Sequence, residues 1–558
     1  MLCATCSSEI PLPPHPLRSK EDILQNLREG ILSPSDIPDI RKNISDAQDI
    51  LKAYDKKIRQ LERTLVAFRS MAGNLRERIQ ETSFLLSPIR RLPDEILAEV
   101  FEMSMPFGSV FSCTKQPAPS FLAVCARWRT VALSTPSIWR SIKLDYSGRS
   151  KHAHRNITAL DHHLSNLSKS SPLDIHISDL DLRPLRSDCT EIAGTHFNSI
   201  AEQSSRWVTL TLDSHSGSLT AQIKRFNMIE NFPSLRSLQL PGVVPSSTIS
   251  SILKRSPVLT HLAIHLLPDE GGPFGALSNI THLELECFRD PTVFNVLDKC
   301  PKLISVMFEL LHRDDLSAEE IAALCSHPPR HIPSIKAITI EVQDVGDETD
   351  YYLLPSLLSS LHLPSLVSIT LSTFFFGPFL RRGALEAFRC FFKRSCAVTS
   401  LTLSKLDRIS DEDTISLLEL VPALTKLTIY EPISRSDGLP HYITCRFLQR
   451  LSSYDLDRTA RTTLTARRLL LPKLEHLSLT VLGKTFLAED QELVKLFVNV
   501  ILSRWFPRRD LEQDYGVESL KYVKLHVVNG SVDRDIWDQL KCLDEMVAIL
   551  EDSEGPCK

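Results

Sequence analysis

Between Ile40 and Ile79, apolar residues recur at alternating steps of four and three: Ile40, Ile44, Ala47, Leu51, Tyr54, Ile58, Leu61, Leu65, Phe68, Ala72, Leu75 and Ile79. A 3.5-residue period held this long predicts a coiled-coil helix, about 60 Å long at 1.5 Å per residue. Ile50 and Met71 widen the stripe, which also suits a helix folded back on its own protein. No asparagine interrupts the seam, so nothing on it fixes an oligomeric state.

The pattern then changes. Pro93 is suited to begin a helix, Asp94 and Glu95 suit its positive end, and Ile96, Leu97, Val100 and Phe101 share one face. A loop with Pro106, Gly108, Pro117 and Pro119 follows. A second amphipathic helix is expected to carry Leu122, Val124, Cys125, Trp128 and Val131, with Pro136 ending it and Ile138-Trp139 opening a third segment.

Beyond residue 170 a repeat of the form P-x-L-x-x-L-x-L takes over. Copies start at Pro233, Pro257, Pro301, Pro333, Pro364, Pro422 and Pro472, and four without the proline start at Ser205, Ser278, Cys396 and Glu518. The last two apolar positions of each copy are two apart, so both point to one face of a short strand. Helical segments such as Thr248–Lys254, Pro291–Asp298, Asp413–Leu420 and Gln491–Ile501 precede many copies. Strand plus helix at this spacing predicts an α/β leucine-rich repeat solenoid, with a parallel sheet on the concave side and helices outside. A parallel β-helix is the rival; it lacks intervening helices and is richer in Gly and Asn.

Composition adds limits. The chain has 558 residues, 42% apolar and 24% charged, with net charge -4. That is too long for one compact core, and it lacks the basic excess usual in nucleic-acid binders. No apolar run approaches the roughly 18 residues of a membrane span. The prolines and cysteines of the first thirty residues argue against a secretory signal, and the C-terminus lacks a prenylation pattern. Thirteen scattered cysteines suit reduced, buried thiols and a cytoplasmic or nuclear protein. The sequons at Asn156, Asn166 and Asn279 then read as chance matches.

Candidate chemistry is sparse. There is no GxGxxG, GxxxxGK[ST] or GxSxG. Cys3 and Cys6 have metal-ligand spacing without a second pair nearby, so residues 1–35 read as a disordered Pro-rich leader. His152, His154, His162 and His163 offer no i, i+4 pair and read as surface residues. Lys393-Arg394 and the stretch from Arg504 to Arg509 read as solvated helix ends. No cofactor, metal site or catalytic residue is expected.

The segment Leu92-Pro93-Asp94-Glu95-Ile96-Leu97, with Val100-Phe101, Val124-Cys125-x-Arg127-Trp128-Arg129 and Ile138-Trp139, resembles the F-box. Ser87-Pro88-Ile89-Arg90-Arg91 directly before it looks like the large fungal F-box family, in which a Cys-containing leader, a coiled coil, the F-box and degenerate leucine-rich repeats follow in this order. The resemblance implies a substrate-receptor subunit of a Skp–cullin–F-box ubiquitin ligase. Leu92, Pro93, Ile96, Leu97, Val100, Phe101, Val124, Cys125 and Trp128 would then form or support the contact with a Skp-type adaptor, and through it a cullin. The loop between Phe101 and Val124 is longer and richer in proline than the family pattern.

The expected organisation is a leader over 1–35, a coiled-coil helix over 36–84, a small all-α F-box domain over 87–145, a linker and solenoid cap over 146–204, the solenoid over 205–530, and a C-terminal helix and tail over 531–558. Residues alternating with the strand core should line a substrate-binding groove. Glu284, Glu286, Glu309 and Glu341 make its middle acidic, while Tyr430, Tyr522 and Lys524 give its C-terminal end a basic, aromatic character. Partners expected are the adaptor, an unidentified protein substrate and a second copy through the coiled coil, without nucleic acid or membrane. The alternative is a coiled-coil and repeat scaffold with no ligase link.

Overall fold

The computed structural model describes residues 17–30, 33–105, 111–112, 119–145, 156–179, 187–214, 226–240, 244, 246–264, 274–285, 296–311, 329–343, 353–373, 384–404, 410–431, 443–452, 469–482, 491–507 and 516–528. Cys3, Cys6, His152, His154, Glu286 and the expected C-terminal helix and tail lie outside the described residues. The chain divides into two compact units, Met1–Leu97 and Ala98–Lys558.

In the first unit, the stretch read as a leader contains the helix Lys20–Glu29. The Ser19 side chain accepts from the Asp22 N–H at its start, and Gly30, at φ 66°, closes it in the left-handed conformation glycine tolerates. Ile37–Phe84 then form one uninterrupted helix of 48 residues, with Pro38 in its first turn. None of its residues is buried. A 3-10 turn, Pro88–Arg91, follows, and the Arg90 Nε donates back to the Phe84 carbonyl at 2.9 Å. The helix Asp94–Ser104 runs on into the second unit.

The second unit is built on a parallel sheet. Its strands are β1 (Phe111–Ser112), β2 (Ser141–Asp145), β3 (Leu173–Asp179), β4 (Trp207–Ser214), β5 (Ser237–Leu240), β6 (His261–Ile264), β7 (His282–Leu285) and β8 (Ser305–Leu311). They continue with β10 (Ala337–Gln343), β12 (Ser368–Thr373), β13 (Ser400–Ser404), β14 (Lys426–Tyr430), β15 (His476–Leu482) and β16 (Tyr522–Val528). Strands next to each other in the chain are next to each other in this 14-stranded sheet, while β9 (Arg330–His331) and β11 (Leu361–His362) pair separately. Sequential parallel neighbours with intervening helices are the arrangement of a solenoid-like repeat.

The repeat explains the core. In all eleven copies, all three apolar positions are buried; the copy from Pro233, for example, buries Leu235, Leu238 and Leu240. Between strands lie helices such as Ser246–Lys254, Ala384–Arg394, Asp411–Glu419 and Gln491–Trp505. Their apolar faces, through Ile252, Phe388, Phe391, Leu417 and Ile501, join the strand residues in one continuous core. Each repeat is also locked to the next by its backbone. The Thr260 carbonyl accepts from the N–H groups of both Thr281 and His282, and the Thr399 carbonyl from those of Thr425 and Lys426. Such pairing fixes register, since a slip of one residue would turn every leucine outward.

Some sequence expectations change. The sheet takes in β2 and β3, which precede the first copy read at Ser205, and β1, which falls in the long loop after Phe101. The second helix does not include Leu122 or Val124: a 3-10 turn spans Ser120–Ala123 and the helix is Ala126–Ser134. Cys125, extended at φ -161°, caps that helix through its Sγ, which accepts from the Trp128 N–H. Arg504 is fully buried and Arg394 half-buried, so neither is a solvated helix end. Among the described cysteines, Cys125, Cys300, Cys390 and Cys396 are free, and burial pushes the Cys300 thiol up to about 12.

Candidate functional site

The F-box-like residues divide by burial. In the first unit, Leu92 is half-buried, Pro93 exposed and Ile96 42% exposed, whereas Leu97 is fully buried. The Pro93 carbonyl accepts the Leu97 N–H at 3.0 Å, which starts the helix Asp94–Ser104. In the second unit, Val100 and Val124 are exposed, Cys125 and Trp128 half-buried, and Phe101 buried. Leu97 and Phe101 are therefore supports rather than surface.

Phe101 lies at the centre of a small aromatic cluster. Its ring stacks on Phe121 at 4.6 Å and meets Trp128 at 5.0 Å, tilted by 58°. Sequence reasoning missed Phe121, which sits in the 3-10 turn rather than on an amphipathic helix. It also missed Met103, 82% exposed and one further step along the face that carries Ile96 and Val100.

The cluster continues into the sheet. Trp139 Nε1 donates to the Ala132 carbonyl at 2.7 Å. The Trp139 carbonyl lies 2.7 Å from His163 Nε2, and the two rings meet edge to face. A carbonyl only accepts, so Nε2 carries the proton. His163 is 3% exposed and burial pushes its pKa down to about 4, which corrects its reading as a surface residue. Arg140 bridges Asp174 on β3 at 3.2 Å and Glu102 at 3.6 Å, and the Ser137 hydroxyl donates to Glu102 at 3.2 Å.

The other candidate is the sheet face opposite the buried leucines. Glu309 on β8 and Glu341 on β10 are neighbours in register and half-buried. Glu284 on β7 is exposed and pairs with Met307, two residues before Glu309. Tyr430 is 42% exposed, in register between Ser404 and Thr480. Half-buried Tyr522 lies beside His476, with ring centroids 5.9 Å apart, and half-buried Lys524 lies beside Ser478. The two tyrosines are two strands apart and in different rows, so the structure does not bring them into one spot. The outward rows across β12 to β16, led by Ser368, Thr370 and Ser372, hold serine, threonine, tyrosine, lysine and histidine and no carboxylate.

One feature of this face was not foreseen. His261 and His282 stack with centroids 4.1 Å apart and planes within 6°. Each Nδ1 is 2.9 Å from the hydroxyl of the preceding residue, Thr260 or Thr281. Those hydroxyls donate to the carbonyls of Arg236 and Thr260, so each Nδ1 donates to its threonine. Burial and the neighbouring His282 push the His261 pKa down. The signal was the repeated Thr-His-Leu triplet at 260–262 and 281–283.

Among the described residues, no group of three or more His, Cys, Asp or Glu is arranged to hold a metal ion. No described helix is long and apolar enough to cross a membrane. No family model matches the chain, and no curated protein matches it.

Proposed function

We propose that the chain is a non-catalytic substrate receptor of a Skp–cullin–F-box ubiquitin ligase. On this reading the segment from Leu92 to Trp128 binds a Skp-type adaptor, and through it a cullin, and a leucine-rich repeat sheet holds the protein to be modified. The observation that carries it is the helix Asp94–Ser104. It buries Leu97 and Phe101 while Ile96, Val100 and Met103, spaced i, i+4, i+7, stay exposed. An apolar stripe of this kind, directly after Leu92-Pro93, is what an adaptor would cover. Glu284, Glu309 and Glu341 would then present acidic groups to the substrate, and Tyr430, Tyr522 and Lys524 aromatic and basic ones.

Binding of the full chain to a purified Skp-type adaptor tests the proposal. Leu92→Ala combined with Pro93→Ala should weaken the complex, at about 1–4 kcal/mol for each buried interface group lost. Ile96→Asp should weaken it further with little loss of folding stability, because Ile96 is exposed. Equal capture of adaptor by wild type and variants would refute the site. The second reading, a scaffold without a ligase link, is favoured by the apolar seam left uncovered on the helix Ile37–Phe84. It predicts no adaptor binding by any of these chains.

A further inference from the structure

The helix Ile37–Phe84 is long, straight in pattern and wholly unburied. Nine large apolar seam residues are exposed, from Ile44 at 45% through Leu61 at 57% to Ile79 at 61%. Isolated in water, such a stripe is a cost that association removes. The charges flanking it determine what covers it.

Taking Ile44, Leu51, Ile58, Leu65, Ala72 and Ile79 as one set of seam positions, the residues just before them are Asn43, Ile50, Lys57, Thr64, Met71 and Arg78. Those just after the other set are Arg41, Gln48, Asp55, Glu62, Arg69 and Arg76. In a parallel pair a residue of the first group meets the residue five further on in the second copy. Lys57 then faces Glu62, twice by symmetry. The remaining pairs are Asn43 with Gln48, Ile50 with Asp55, Thr64 with Arg69 and Met71 with Arg76, none of like charge.

Reversing the second helix with the whole seam overlapped gives a different result. Flanking residues now meet their own kind, which sets Asp55 against Glu62 and Arg41 against Arg76, each twice. Sliding the reversed helix by two heptads relieves those contacts. In one direction the slide leaves Ile40, Ile44, Ala47 and Leu51 unmatched and sets Lys57 against Arg78; in the other it leaves Phe68, Ala72, Leu75 and Ile79 unmatched. Only the parallel, in-register pair covers the whole seam without a like-charge contact.

We propose that the chain pairs with a second copy of itself through residues 40–79 as a parallel, in-register two-stranded coiled coil. The inference is independent of adaptor binding, since it uses no residue beyond Phe84. Both copies of the chain then leave the pair at the same end.

Sedimentation of the full chain, with Lys57→Glu, Glu62→Lys and the two combined, tests this. The wild type should be a dimer. Each single variant should weaken dimerisation about tenfold by turning two attractive pairs repulsive, and the double variant should restore it. Leu65→Asp with Phe68→Asp should give monomers of unchanged fold, since both side chains are exposed. A monomeric wild type, a higher oligomer, or a dimer that survives the aspartates would overturn the proposal. So would silence of the charge variants. Tightening by either single variant would signal an antiparallel pair and equally defeat it.

Discussion

Arg504→Ala destabilises the second unit by about 3–5 kcal/mol, because it leaves three buried carbonyl oxygens without their donor at about 1–3 kcal/mol each. Arg504 ends the helix Gln491–Trp505 and is fully buried. Its Nε donates to the Leu451 carbonyl and its Nη1 to the Leu471 carbonyl, both at 2.9 Å, while Nη2 donates to Leu470. Burial pushes its pKa down to about 10, so it stays charged at neutral pH. Leu451 ends the helix Cys445–Leu451, and Leu471, at φ 54°, leads into the next repeat. One guanidinium thus satisfies carbonyls that a helix end and a turn would otherwise leave buried and unpaired. Arg504→Lys should recover only part of the loss, because an ammonium cannot reproduce the planar fork. Denaturant unfolding of the full chain, followed through a signal of the second unit, measures it. A loss below about 1 kcal/mol, the net worth of one ordinary hydrogen bond, would show the carbonyls to be satisfied in some other way.

The same device recurs. Arg255 reaches the carbonyls of Phe226 and Ile229, Arg394 those of Leu358, Ser359 and Leu361, and Arg206 those of Ser168 and Ser171. At these four places a side chain ties one repeat to a preceding segment, in addition to the backbone bonds between strands. The other three are only half-buried, so their replacement should cost less than that of Arg504.

Acidification weakens the same unit through His163. Its pKa is about 4 in the folded chain and 6.5 for a free imidazole. Between those values the unfolded chain binds the proton and the folded one does not, so stability rises with pH across that window. The contribution is complete above pH 6.5 and falls away as the pH drops toward 4, by about 2 kcal/mol at pH 5 and about 3 kcal/mol in all. His163→Gln keeps an N–H for the Trp139 carbonyl and removes the titration. Unfolding curves of wild type and variant at pH 7.5 and pH 5 should therefore converge on acidification. If they remain parallel, His163 is not held neutral by the fold.

Much of the sheet was readable because its signal is local. P-x-L-x-x-L-x-L names three buried positions within eight residues, and every one is buried. The helix Ile37–Phe84 was readable for the same reason, since a seam requires no knowledge of a neighbour. β2 was missed because its lead-in, Pro136-Ser-Ile-Trp-Arg-Ser-Ile-Lys-Leu144, is one residue longer than the repeat. β3 was not read as a copy of the repeat because Pro172-Leu-Asp-Ile-His-Ile177 is shorter. Arg394, Arg504 and His163 were misread because their partners lie 24 to 53 residues away in the chain. The stacked histidines depend on register between repeats, which no single copy contains. In the F-box-like segment the motif residues were identifiable, but their division into buried Leu97 and Phe101 and exposed Ile96 and Val100 needed the helix's orientation.

The strict register of the sheet has a metrical consequence. Equivalent side chains on neighbouring strands recur about every 4.8 Å. An extended peptide laid across the strands turns its same-side residues down about every 6.7 Å. The two rulers part within two strands and coincide again only after about seven, so such a ligand cannot be read one residue per repeat. A helical ligand, with a pitch of about 5.4 Å, drifts from the strands by only about 0.6 Å per turn. Over three or four strands the face is therefore commensurate with a helix and incommensurate with a strand.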